Sequence, residues 1–414
     1  MKAWAALAGA AAPALRWHLR RRAAAGKEDA ARLPEREGFG AARPAGPVIW
    51  LHAASVGEAL AVLPLADALL AAAPELHVLL TTGTVTSAVL LRERWPALDS
   101  GRATHRFAPL DVPAWVGRFL DGWRPDAAAF VESEIWPNTL AALAARGVPA
   151  ALVNGRLSPR SFARWRRWAP GPARRLLGGF ARVLPRSAED AARFAALGAR
   201  VEPPADLKRA APPLPADAAA LAALRAAAGG RPVWLAASTH PGEDEQVVAA
   251  ARAAAVPGLL TVIVPRHPQR GAAVAALCGG AGRRSQGALP DAGPFHVADT
   301  IGELGLFYRL AGAAFIGGSL VPHGGQNPLE AARLGCPALM GPHRFNFTEA
   351  AAELEAAGAL RPVAGADALA RAVRDVLTVP QAALEMRRAA AGFAQAAEEI
   401  PHRLAARLLE MLRG

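Results

Sequence analysis

Residues 315–340 read FIGGSLVPHGGQNPLEAARLGCPALM. Apolar Phe315 and Ile316 run into Gly317, Gly318 and Ser319, the pattern of a buried strand opening into a glycine-rich loop. Gly324 and Gly325 then precede Gln326, Asn327 and Pro328. Asn327 is placed to cap a helix whose first residue is Pro328, with Leu329 and Glu330 following. Residues 337–340 form a short second strand. Strand, loop, helix and strand in that order belong to a parallel α/β domain. A helix start facing a glycine loop suits an anionic group. The Glu330 carboxylate, one turn in, suits ribose hydroxyls better than phosphate.

The same grammar runs along the chain. Strand-like stretches at 48–52, 76–80, 104–108, 127–131, 149–153 and 181–185 alternate with helical ones. Prolines 203, 204, 212, 213 and 215 interrupt, and the pattern restarts at 233–237, 259–264 and 295–298. Two α/β domains account for 414 residues. The expected division is an N-terminal segment 1–30, a first domain 31–202, a linker 203–218, a second domain 219–385 and terminal helices 386–414, with a break near Pro401. A composition of 52% hydrophobic and 20% charged residues excludes a disordered chain. Cys278 and Cys336 lack metal spacing and read as buried thiols in a reducing compartment. The net charge of +12, mostly arginine, suits nucleic acid, an anionic membrane or a phosphorylated substrate, and separates none of them.

Residues 4–15, WAALAGAAAPAL, precede Arg16, Arg20, Arg21 and Arg22. A signal peptide has the reverse order, and the apolar run is too short to span a bilayer. An interfacial anchor on an anionic membrane is expected; the alternative is an alanine helix packed on the body.

Polar residues gather where strands end. Ser55, Val56, Gly57 and Glu58 follow the first strand, so Glu58 is either one half of a capping box with Ser55 or a carboxylate at a ligand site. Thr84 and Thr86 lie in a hydroxyl-rich turn that could bind sugar or cap a helix. Glu132, Ser133, Glu134, Ile135, Trp136, Pro137 and Asn138 follow the 127–131 strand. Asn154 and Arg156 follow the next one. Arg164, Arg166 and Arg167 then alternate with Phe162, Trp165 and Trp168, a pattern open to RNA, to a phosphorylated lipid or to plain solvation. Lys208 sits in the linker. In the second half, Ser238 and Thr239 end one strand and Pro265 and Arg266 another. His240 and Glu243 lack a third partner for a metal. Ile301, Gly302 and Glu303 precede a further helix.

Taken together, these segments resemble the bacterial 3-deoxy-D-manno-octulosonic acid (Kdo) transferases. The resemblance rests on Ser55–Glu58, Glu132–Asn138, Asn154–Ser158, Ser238–Glu243, Pro265–Pro268, Asp299–Leu304 and Gly317–Glu330, with the Arg32, Glu35, Arg36 and Gly38 link behind the N-terminal segment. It implies two Rossmann-like domains facing an interdomain cleft (GT-B type), an N-terminal membrane-associated helix on the cytoplasmic face of the inner membrane, and terminal helices that brace the first domain. The implied reaction is inverting transfer of Kdo from CMP-Kdo to the lipid A precursor, without cofactor or metal and without nucleic acid as partner. Glu58 then matches the family's general base, Glu132 its second essential carboxylate, and Lys208 its basic stabiliser. The donor would meet Ser238, Thr239, Pro265, Arg266, Ile301, Gly302, Glu303, Gly318, Ser319, Asn327, Pro328, Leu329 and Glu330. The acceptor would meet Ser55, Gly57, Thr84, Thr86, Asn154, Arg156, Arg164, Arg166 and Arg167. The chain departs from the family at Gln326, where histidine is usual, and around Lys208, where the flanking motif is worn. Rival readings are a UDP-sugar glycosyltransferase or epimerase of the same fold and a nucleic-acid-binding protein.

Overall fold

The computed structural model describes residues 2–210, 212–290 and 293–413. Met1 of the expected anchor, Ala211 of the linker and Gly414 of the terminal helices lie outside the described residues. The chain divides into two compact units, Met1–Ala211 with Glu398–Gly414, and Pro212–Ala397.

The first unit is built on six parallel strands: β1 (Val48–Ala53), β2 (His77–Thr82), β3 (Ala103–Phe107), β4 (Ala127–Val131), β5 (Ala150–Gly155) and β6 (Arg182–Pro185). Their order is β3-β2-β1-β4-β5-β6, and every pair is parallel. β1 is apolar on both faces, as a strand covered by helices on each side must be. Ile49 and Leu51 join one core with Val62, Leu65 and Leu69, and Trp50 joins the other with Phe119, Phe130 and Phe180. The strand order reverses between β1 and β4, which makes their carboxyl ends the switch point where open α/β sheets hold ligands.

The second unit carries seven parallel strands: β7 (Val233–Thr239), β8 (Leu260–Pro265), β9 (Gly282–Arg283), β10 (Phe295–Val297), β11 (Ala313–Ile316), β12 (Ala338–Met340) and β13 (Leu360–Pro362). Their order is β13-β12-β11-β7-β8-β10-β9. Here the switch point lies between β7 and β11, and the 315–340 stretch supplies β11, the loop, a helix Leu329–Arg333 and β12.

Three expectations change. The N-terminal residues form helices Lys2–Ala10 and Ala12–Ala24, and no helix among the described residues is long and apolar enough to cross a membrane. Leu19 is buried with Val112 and Trp115. Arg16 pairs with Glu37 at 2.8 Å and Arg22 with Glu28 at 3.2 Å, so two of the expected headgroup arginines are engaged by the protein's own acids. The N-terminal anchor, and the inner-membrane placement drawn from it, are therefore corrected to a helical segment docked on the first unit. Pro401 does not break the last helix, Pro380–Glu410, but lies inside it. Cys336 is buried as expected, whereas Cys278 is half-buried; both are free thiols.

Candidate active site

The turn after β1 starts the helix Val56–Ala72 with a complete capping box. Glu58 Oε2 accepts the Ala54 N–H at 2.7 Å and the Ser55 N–H at 3.4 Å, while Ser55 Oγ accepts the Glu58 N–H at 3.3 Å. Glu58 is half-buried and Gly57 is exposed with open space where a Cβ would stand. Capping occupies Oε2 only, so Oε1 remains for other chemistry. Thr84 caps the helix Val85–Arg94, its hydroxyl accepting the Ser87 N–H, and Thr86 is exposed beside it.

Next door, β4 ends at Glu132, whose φ of 60° lies in the left-handed region; Asn154, at the end of β5, has φ 54°. Such a conformation costs a non-glycine residue about 1–3 kcal/mol and concentrates at functional sites. Glu132 Oε1 forms an ion pair with Lys208 Nζ at 2.7 Å. The structure thus brings the linker lysine to the strand-end carboxylate despite its worn motif. Asn154 explains how. Its side chain is wholly buried and its Oδ1 accepts the Leu207 N–H at 3.0 Å, which pins the linker turn beside β5. A buried amide cannot touch an acceptor, so its expected contact becomes a positioning one. The Arg156 N–H donates to Glu132 O at 3.1 Å, leaving the guanidinium exposed. Arg164, Arg166 and Arg167 are exposed on the helix Pro159–Trp168, with Trp168 74% exposed at its end.

Glu134 accepts from Trp136 Nε1 at 2.6 Å and faces His52 Nε2 at 3.6 Å. Burial opposes its ionisation, but His52 and the indole N–H outweigh burial and hold the carboxyl below its usual range. Asn138 belongs to the scaffold: Asp111 accepts the Asn138 and Thr139 N–H groups at the start of the helix Pro137–Ala145.

In the second unit the loop amides are already in use. Glu243 is wholly buried and accepts from His240 N and Gly318 N on one oxygen (2.9 and 2.6 Å) and from Ser319 N and Leu320 N on the other (2.9 Å each). The expected backbone contacts of Gly318 and Ser319 with a donor anion are therefore taken by an internal carboxylate. Gly317 allows this closeness, since a Cβ there would lie 2.4 Å from Ser238 O. Ser319 Oγ is buried and accepts the Gly341 N–H, and Thr239 Oγ1 is buried on Asp244 at 2.7 Å. Ser238, half-buried, carries φ 57° at the β7 end. Pro265 ends β8 buried, and Arg266 beyond it is exposed. Ile301 is 85% exposed, Gly302 has φ 86°, and Glu303 pairs with Arg284 at 2.7 Å, which lowers its carboxyl pKa.

The expected Asn327 cap is not found: the helix starts at Leu329 with buried Pro328 at its N-cap and no side-chain cap there, and Asn327, one residue earlier, accepts the Leu329 N–H at 3.1 Å. Burial pushes Glu330 above the usual carboxylate range, with Arg333 and Arg266 acting against it. Gln326 Nε2 lies 3.0 Å from His240 Nε2, and the His240 ring stacks on His323 at 4.4 Å. Among the described residues no group of three or more His, Cys, Asp or Glu could hold a metal ion.

His52 was not legible as a site residue, and Glu243 was read only as half of an incomplete metal pair with His240. His52 sits opposite Thr81 in the β1–β2 register, and a polar pair at the end of two apolar strands is the signal that marks it. Glu243 reaches a loop 75 positions away, and no local pattern reports that.

Two Rossmann-like parallel-sheet domains, each with its polar residues at a switch point, are consistent with the GT-B class of sugar-nucleotide enzymes. Solved structures agree at the level of fold. A glycosyltransferase from Rickettsia africae is 11% identical with a TM-score of 0.55, covering 89% of this chain and 99% of that one. A UDP-GlcNAc 2-epimerase from Neisseria meningitidis is 13% identical with a TM-score of 0.53 and the same coverage. The family model for 3-deoxy-D-manno-octulosonic-acid transferase (kdotransferase) matches residues 31–211. The 3-deoxy-D-manno-octulosonic acid transferase of Bordetella pertussis is 39% identical over 83% of this chain and 83% of its own length. That of Haemophilus influenzae is 36% identical over 84% and 83%. The chain belongs to the Kdo transferase family.

Proposed function

We propose that this protein transfers Kdo from CMP-Kdo to a sugar hydroxyl of the lipid A precursor, with inversion at the ketose carbon. The observation that supports this reading is that Glu58 and Glu132 follow the neighbouring strands β1 and β4 at the switch point of the first sheet, in a chain of this family. Glu58 Oε1 takes the hydroxyl proton as general base. The acceptor oxygen bonds to the anomeric carbon as the bond from that carbon to the CMP phosphate oxygen breaks, and the electron pair leaves with CMP. CMP is a good leaving group and needs charge stabilisation more than a proton. Arg266 is the cation of the donor domain assigned to that phosphate, while Lys208 stays the ion-pair partner of Glu132. Glu330 takes the ribose, with Ile301, Gly302 and Ser238 on the donor and Asn327, Pro328 and Leu329 shaping the turn that presents Glu330. Arg156, Arg164, Arg166 and Arg167 meet the acceptor phosphates. Ser55, Gly57, Thr84 and Thr86 border its sugar.

The test is mass spectrometry of the product formed from CMP-Kdo and tetraacylated lipid A precursor, with a UDP-sugar as control donor. A mass gain of whole Kdo units with CMP release is expected. Transfer from the UDP-sugar alone, or donor turnover without acceptor, would overturn the reading.

A further inference from the structure

Three imidazoles gather in the second unit, and the reaction above uses none of them. His240 follows β7, His267 follows β8, and His323 lies in the loop after β11, so they stand beyond the carboxyl ends of three neighbouring strands. The backbone brings them together. The Arg266 N–H donates to Thr239 O at 3.0 Å, which lays Arg266 and His267 beside the turn carrying His240. The Gly325 N–H donates to Gly318 O at 2.8 Å and the Gln326 N–H to Gly317 O at 2.9 Å, folding the glycine-rich loop back on the β11 end. Gly318 has φ 68°, and a Cβ there would lie 3.3 Å from His240 Cδ2, so the glycine leaves room for the ring. The His240 and His323 rings stack with centroids 4.4 Å and planes 24° apart, and His267 meets His240 edge-on at 6.3 Å.

The charge around these rings is one-sided. Burial holds His240 below its ordinary pKa, His323 adds to this, and His267 and Arg266 act in the same direction; Glu243 alone opposes them. The Glu243 carboxylate is already spent on four backbone N–H groups. His267, His323 and Arg266 are exposed, and no ring nitrogen of the two histidines has a hydrogen-bond partner among the described residues. The place thus presents imidazoles and a guanidinium with no anion to receive them. It also adjoins the groups assigned to the nucleotide. Arg266 acts on Glu330 as well as on His240, and the Glu330 helix begins just after Gln326, whose Nε2 lies 3.0 Å from His240 Nε2.

The donor carries two anions close together. In an ulosonic acid the carboxylate is bonded to the anomeric carbon, the same carbon whose oxygen links to the phosphate. A phosphate held on Arg266 therefore brings that carboxylate to the groups beside Arg266, of which His267 is the next residue. An imidazole donates to a carboxylate from one nitrogen when neutral and from either when protonated. We propose that His267 and His323, with His240 as the ring that positions both, bind the carboxylate of the donor sugar and so select an acidic ketose over a neutral sugar. This rests on the transfer reading above and names what recognises the sugar half of its donor.

The experiment measures dissociation constants for three ligands: CMP-Kdo, CMP-Kdo with its carboxylate converted to the primary amide, and the methyl phosphodiester of cytidine, which keeps the phosphate charge and lacks the sugar. Each is titrated into the parent, His267→Ala, His323→Ala and the double variant. The parent should bind CMP-Kdo about tenfold tighter than the amide. Each single variant should weaken CMP-Kdo about fivefold and the double variant about 20-fold, with the amide and the methyl phosphodiester within about twofold of the parent. Equal binding of CMP-Kdo and the amide by the parent overturns the proposal, and this comparison needs no variant to fold. So does a double variant that weakens all three ligands alike, which would put the imidazoles on the phosphate or in the packing of the loop. A double variant that binds CMP-Kdo as the parent does overturns it too. A parent that binds CMP-Kdo and transfers none of it sinks the transfer reaction instead, which is a different failure.

Discussion

Glu243 occupies, from inside the protein, the place an anion would take at the glycine-rich loop. Its two oxygens each serve two backbone N–H groups, drawing together the ends of β7 and β11. Glutamine has the same shape but presents an NH2 to two of those four donors. Each buried donor left without a partner costs about 1–3 kcal/mol. Glu243→Gln should therefore destabilise the second domain by roughly 2–6 kcal/mol and weaken CMP binding, because the loop carrying Gln326 and Asn327 loses its anchor. Denaturant unfolding and CMP titration check this; parent-like stability would mean that the loop holds itself. The same loop shows what the departure at Gln326 does: its amide donates to the His240 imidazole, and burial together with His323 keeps His240 below its ordinary pKa.

One element shows how a motif can be structural. Residues 28–38 strap the edge of the first sheet. Arg36 is buried, pairs with Glu28 at 2.9 Å and donates to Gly83 O at 2.7 Å, closing the ends of β2 and β3. Glu35 accepts from Arg32 at 2.8 Å, Arg106 at 3.0 Å and the Phe107 N–H at 2.7 Å. Gly38 has φ 81°, and a Cβ there would lie 2.2 Å from Trp115 O. Burial opposes ionisation of Glu35, but Arg32, the Phe107 N–H and Arg106 hold its pKa below 4.5. A depressed folded pKa means that this stabilisation is complete above the unfolded value and is lost as pH falls through the folded one. The difference in unfolding free energy between parent and Glu35→Gln should thus be constant at neutral pH and shrink below about pH 4.5. Breaking such a buried pair costs on the order of 3–5 kcal/mol. A difference that stays flat down to pH 3 would show that the strap does not depend on this charge.

Across the whole molecule, what was legible in the sequence was local. Apolar runs located the strands, and Ser55 with Glu58 announced both a cap and a carboxylate at a strand end. The acids and arginines of the site stood where strands finish. What could not be read were the contacts that join distant segments. Asn154 holds Leu207 across 53 positions, and Glu132 meets Lys208 through a linker whose motif is worn. The N-terminal arginines looked like a membrane patch because Glu28 and Glu37, which answer Arg22 and Arg16, lie beyond the apolar run. Glu58 joins both kinds of information: it caps a helix with one oxygen, and the other is the proposed base. The measurement that tests it most directly is the single-turnover transfer rate of Glu58→Gln with donor and acceptor saturating. The amide oxygen still accepts the Ala54 N–H, so folding and CMP binding should match the parent while transfer falls about 10²–10⁴-fold. A rate within a few-fold of the parent would contradict the account and leave Glu58 as a helix cap alone.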